Sequence, residues 1–243
     1  MKNLRLSILF LLGLGYTFSF AQHSGVMSVL LKSQEYYDTH SNLSVDVTYK
    51  MYESYESSKL IENMNGGFKT VNGNMYCRLG NQVQLKNSKW CVVADGTTQT
   101  MLVQENRNTK PARTPLGIDS LVNLYRETGI IKDDGETVTL LFSKPKTASY
   151  TVSRFTVDIE KKSGRILSAV LYYAFDLNNF YEDIKKQTIP RIEIIYTNYM
   201  ENNSSESDFH ESEYFFISGE KIKPAGAYSA YTVIDLRSTK KIH

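Results

Sequence analysis

"GNMYCRLGNQVQLKNSKWCVVADG", residues 73–96, decides the fold, because it carries both cysteines, the single tryptophan and three turn signals in one run. "NMYCRL" reads as a strand, Gly80-Asn81 as a turn and "QVQLKN" as a second strand. Ser88 begins another turn, "KWCVVA" is a third strand, and Asp95-Gly96 turns into "TQTMLVQE". Asn, Asp and Gly accept the backbone angles that tight reversals need, so this is a meander of strands that neighbour one another in chain order. Cys77 and Cys91 are a candidate disulfide, but on this register one strand separates them by about 9.5 Å at a strand spacing of about 4.8 Å. A bridge needs Cα atoms within about 7 Å. If "NQVQL" were a loop, the two cysteine strands would be neighbours and the bridge would form, as an oxidising compartment favours. A metal site is disfavoured: the two cysteines are fourteen residues apart, and His23, His40, His210 and His243 lie far away in sequence.

On the N-terminal side, "NLSVDVTYKMYES" alternates strictly. Leu43, Val45, Val47, Tyr49 and Met51 point one way, and Ser44, Asp46, Thr48 and Lys50 the other, as in an antiparallel strand with one wet face. "LIENMNGGFKTVNG" is expected to be a strand pair joined at Asn65-Gly66, with Asn72-Gly73 as the next reversal. Further back, "GVMSVLLKSQEYYDTH" sets Val26, Val29, Leu30 and Tyr37 at helical spacing. The first residues have a positive start (Lys2, Arg5), an apolar run (Leu6 to Leu14) and a small-x-small site at Ser19-Phe20-Ala21. Residues 1–21 are therefore expected to be a cleaved export signal, leaving 22–243 as one domain in the periplasm and not an integral membrane protein. Cleavage takes away two cations and no acid, bringing the formal net charge of +2 to zero. A neutral, mixed surface gives no drive toward nucleic acid.

On the C-terminal side, Thr114-Pro115 or Asp119 can open a second helix with Leu121, Val122, Leu124 and Tyr125 as its apolar stripe and Gly129 as its end. Strands resume with "ETVTLLFS", "YTVSRFTVDIE" turning at Lys162-Ser163-Gly164 into "RILSAVLYYAFD", then "RIEIIYTNYM", "EYFFISGEKIKP" and "AYSAYTVIDLRS". "ENNSSESDFHESE" (201–213) reads as an exposed acidic loop. Strands in runs with two helices predict an α+β fold around one large antiparallel sheet, which at ten to twelve strands must curl or split.

Catalytic signatures are missing. There is no G-x-S-x-G, no P-loop and no G-x-G-x-x-G, and His210-Glu211 has no second histidine at zincin spacing. Asp133-Asp134-Gly135 is an ordinary turn, since the later ligands of a calcium loop are absent. The expectation is a protein that is not an enzyme and carries no cofactor and no metal.

The order of elements, and the stretch from "NLSVDVTYKMYES" through "GGFKTVNGNMYCRLGNQVQLKNSKWCVVADGTTQTMLV", resembles the outer-membrane lipoprotein carrier (LolA-like) family. The early strand lacks the arginine with which some carriers hold the lid, and Arg78 is followed by no proline. The resemblance implies a large curved antiparallel sheet, an incomplete β-barrel, with two helices covering the concave face. It implies lipid or lipoprotein acyl chains as partners. Val45, Val47, Tyr49 and Met51, with Val170 and Tyr172, would then line the cleft, and Leu121, Val122, Leu124 and Tyr125 would form the lid helix. The alternative is a non-enzymatic envelope scaffold that docks a protein partner and holds no lipid; the lining residues would then simply pack against the helices.

Overall fold

Val26, Leu30, Ser33 and Tyr37 recur at intervals of four, three and four residues, so a helix puts all four on one stripe. In a computed structural model, which describes residues 25–106, 127–143, 152–173, 189–201 and 204–237, residues 25–39 form that helix, α1, and all four side chains are buried. Fourteen strands follow among the described residues. They are β1 (Leu43–Tyr52), β2 (Leu60–Val71), β3 (Asn74–Leu79), β4 (Gln82–Lys86), β5 (Trp90–Asp95), β6 (Thr100–Glu105), β7 (Glu127–Asp133), β8 (Thr137–Ser143), β9 (Val152–Glu160), β10 (Ile166–Tyr173), β11 (Arg191–Glu201), β12 (Phe215–Ser218), β13 (Lys221–Pro224) and β14 (Thr232–Asp235). Twelve belong to one open sheet in the order β14-β6-β5-β4-β3-β2-β1-β11-β10-β9-β8-β7, and β12-β13 is a separate hairpin. Its recorded pairings are antiparallel except β14, which lies parallel to β6.

The described residues divide into two compact units. One contains α1 through Tyr37, Tyr52–Lys59, and β7 to β10 with the start of β11. The registers Val138↔Ile159, Leu140↔Val157 and Phe142↔Phe155 put six buried side chains of β8 and β9 on one face, with Phe142 and Phe155 stacked at 4.5 Å. Ile166 and Ala169 of β10 join them despite the intervening register shift. The helix meets this unit closely. The Ile166 amide donates to the Tyr37 hydroxyl (3.2 Å), and a Cβ on Gly164 would stand 2.6 Å from the Lys32 carbonyl oxygen. Gly164 has φ +85°, so both the backbone angle and the space require glycine.

The other unit contains β1 to Met51, β2 to β6, β11 from Ile194 and the C-terminal segment. Its core is Val71, Leu85, Val92, Ala94, Met101 and Val103 from the sheet, closed by Phe209, Tyr214 and Phe215. The cover on this face is therefore the chain's own C-terminal segment. Phe209 is 2% exposed, which corrects the reading of 201–213 as a wholly solvated loop: 3-10 turns at Glu206–Phe209 and Glu211–Glu213 turn this aromatic inward.

Three further expectations are corrected. No hairpin forms at Asn65-Gly66: β2 runs straight through it, and Gly66 serves close approach, since its Cβ would lie 1.8 Å from the Arg78 carbonyl oxygen. Gly129 does not end a helix but sits within β7, where Ile130 and Ile131 favour extended backbone. "EYFFISGEKIKP" is not one strand but the β12–β13 hairpin, reversed where Gly219 takes φ +64°. The proposed lid residues Leu121, Val122, Leu124 and Tyr125, and the signal 1–21, lie outside the described residues.

Candidate functional site

Tight turns fix which side chains share a face. Asn72 and Gly73 both have positive φ (49° and 83°), giving the two-residue turn that pairs Val71 with Asn74 and hence Phe68 with Cys77 and Thr70 with Met75. The turn at Gly80-Asn81 pairs Leu79 with Gln82 and so Cys77 with Gln84. The series continues Gln84↔Val93, Val93↔Leu102 and Leu102↔Ile234. On the far side, Thr48 donates to Asn65 (3.0 Å), so Thr48 and Asn65 share one face. Alternation then turns Val45 and Val47 to the other, with Phe68 and Thr70.

One face of this unit thus carries Val45, Phe68, Cys77, Gln84, Val93, Leu102 and Ile234 across seven strands. Its burial is uneven. Val45 and Phe68 are 1% and 2% exposed, Cys77 and Val93 are half-buried with the exposed Gln84 between them, and Leu102 and Ile234 are 36% and 43% exposed. The opposite face is the core sealed by Phe209, Tyr214 and Phe215. The sheet of this unit therefore has a closed side and a side that is buried at β1 and β2 and partly exposed from β3 to β14.

Of the lining residues expected from the sequence, Val45, Val47 and Met51 are buried and Tyr49 is half-buried. Val170 and Tyr172 belong to the other unit and pair with Thr156 and Arg154. There they share the face of Thr139, Asp158 and Ser168, opposite the face of the buried Ala169. Thr139 and Ser168 each donate to the Asp158 carboxylate at 2.6 Å, and the Arg154 guanidinium lies 4.4 Å over the Tyr172 ring. Within their own unit Val170 and Tyr172 thus sit beside polar partners. Val93, Leu102 and Ile234 had not been singled out. The turns at 72–73 and 80–81 could have placed Val93 and Leu102, but nothing local announces that β14 adds in parallel.

Cys77 and Cys91 are both free thiols. β4 lies between their strands, with Cys77 across from Gln84 and Cys91 across from Lys86. Burial pushes the Cys77 thiol above its usual range, making it a poor nucleophile. Among the described residues no cluster of His, Cys, Asp or Glu could hold a metal ion. No described helix is long and apolar enough to cross a membrane.

No protein-family model matches the sequence, and no curated protein matches it. Solved structures do. An uncharacterised conserved protein from Thermus thermophilus is similar at 8% identity and a TM-score of 0.47, covering 87% of this chain and 99% of that one. The LolA superfamily protein NE2245 from Nitrosomonas europaea is similar at 12% identity and a TM-score of 0.36, covering 76% and 96%. The lipoprotein LppX from Mycobacterium tuberculosis is similar at 11% identity and a TM-score of 0.39, covering 75% and 97%. The structural neighbours thus include the carrier family to which the sequence shows a resemblance. What this chain does must be carried by its own residues.

Proposed function

We propose that the protein is an exported, non-enzymatic carrier of the bacterial periplasm, in which residues 22–243 act as one half-barrel domain that shelters an acyl chain or apolar segment. The single observation that carries this reading is the face from Val45 to Ile234, buried at β1 and β2 and carrying the partly exposed Val93, Leu102 and Ile234 beyond. An apolar chain lying from Phe68 toward Ile234 would cover Val93, Leu102 and Ile234, which the fold leaves partly in water. Each methylene removed from water contributes about 0.8 kcal/mol, so a handful suffices for reversible holding. The closed opposite face leaves one side for a ligand. Export is supported by the signal-like residues 1–21. The lack of a metal-binding cluster among the described residues and of a catalytic motif in the sequence is compatible with binding alone.

The test is native mass spectrometry of protein recovered from its own envelope, beside displacement of an apolar dye by fatty acids. An adduct of acyl-chain mass, and dye binding reduced by Leu102→Gln, are expected. Consistently empty protein that takes up no dye would overturn the reading, and a discrete crosslinked protein partner in its place would favour the scaffold.

A further inference from the structure

The β12–β13 hairpin has two surfaces. The pairs Phe215↔Pro224 and Ile217↔Ile222 share the side on which Phe215 is buried and Ile222 packs against the core. The pairs Phe216↔Lys223 and Ser218↔Lys221 face outward. That outward side presents a phenyl ring 50% exposed and two exposed lysines. Neither ammonium has a carboxylate within ion-pair distance among the described residues, and the hairpin's only carboxylate, Glu220, sits at its turn. The tip is held down, because the Arg237 guanidinium donates to the Glu220 carbonyl (2.6 Å) and is itself paired with Asp235. Ile217 at the tip and Leu236 beside Arg237 are 48% and 52% exposed.

We propose that this hairpin is a membrane-surface contact. Phe216 enters the headgroup–acyl boundary while Lys221 and Lys223 meet anionic lipid phosphates. The geometry favours a bilayer over a protein. A two-stranded hairpin of four residues per strand offers a footprint of roughly 14 Å by 10 Å, far below the ~800 Å² per partner of a stable protein interface. A bilayer needs only a few apolar groups flanked by cations, and lysine stems lie along apolar surface with the ammonium held at phosphate level. The contact does not depend on the acyl-chain reading, because the hairpin covers the sheet face opposite Val45 and Leu102; either can fail alone.

The test is flotation of the full mature chain with vesicles of phosphatidylcholine alone and of phosphatidylcholine with phosphatidylglycerol. Binding to the anionic vesicles only, weakening as salt rises, is expected. Lys221→Glu with Lys223→Glu should lower the partition coefficient at least twentyfold, at about fivefold per lysine. Phe216→Ser should lower it several-fold, and Lys69→Glu, a single charge reversal on β2, should lower it far less than the double variant does. Thermal unfolding of each variant should match the parent, since the altered side chains are exposed. Equal binding to neutral and anionic vesicles, an equal loss in the Lys69→Glu variant, or a protein crosslinked through position 216 without vesicle binding would each overturn the proposal.

Discussion

Gly66 and Gly129 are both strand glycines without positive φ, and they differ only in what a side chain would meet. At Gly66 a methyl group would lie 1.8 Å from the Arg78 carbonyl oxygen and 2.9 Å from the Leu79 Cα; at Gly129 nothing lies within 4 Å. Gly66→Ala must part β2 from β3 and is expected to cost about 2 kcal/mol or more. Gly129→Ala restricts only the unfolded chain and should be neutral or stabilising by up to about 1 kcal/mol. Paired urea titrations check the contrast. Tyr214 makes a second case. Desolvation, with the nearby Tyr228 hydroxyl, raises its phenol well above the ordinary value. The unfolded chain ionises this group near pH 10 while the folded chain keeps its proton, so stability is intact below that range and is lost as pH rises through it. The urea midpoint should fall above about pH 10 in the parent and fall less in Tyr214→Phe. Neither effect is legible from residue type: "NGG" reads locally as a turn, and only the approach of β3 makes Gly66 a packing residue.

At the scale of elements, the meander from β3 to β6 was legible because turn residues and alternation agree, and because its pairings join neighbours in sequence. α1 was legible through the spacing of Val26, Leu30 and Tyr37, whereas the polar Ser33 that completes the buried stripe was not, and Val29 is only half-buried. What escaped reading depends on distant partners. β7 is shaped by pairing with β8, and the β12–β13 hairpin is held by Phe215 against a sheet more than a hundred residues earlier in the chain. β14 adds in parallel to β6 by a register that no local signal sets. The C-terminal cover can be followed by one probe. Trp90 is the only tryptophan, and its ring meets Phe215 edge-on at 5.2 Å. Phe215→Ala removes that neighbour and opens a cavity, at a cost of roughly 3–5 kcal/mol. The expected outcome is a red-shifted Trp90 emission before the main unfolding transition. An unchanged spectrum with unchanged stability would show that the segment is not the cover described.

For the molecule as a whole, the decisive contrast lies between two neighbours on β6. Val103 is fully buried on the closed side, whereas Leu102 is 36% exposed on the opposite side. If the chain merely fills its own interior, both residues matter only for stability. If it shelters an acyl chain, they separate: Val103→Asp should unfold the protein, by burying an unpaired charge, while Leu102→Asp should leave it folded and weaken ligand binding. The ligand's length supplies the finer measure. At about 0.8 kcal/mol per methylene, two added methylenes should tighten binding of a saturated fatty acid about fifteenfold. That holds only until the chain has spanned the row from Phe68 to Ile234. Six strands occupy that row, with five gaps of about 4.8 Å, or roughly 24 Å. An extended alkyl chain covers this distance with about nineteen methylenes, so affinity measured by dye displacement should climb steeply from about eight carbons and level off near about twenty. A flat series, or one whose slope survives in Leu102→Asp, would place the apolar ligand elsewhere or remove it altogether.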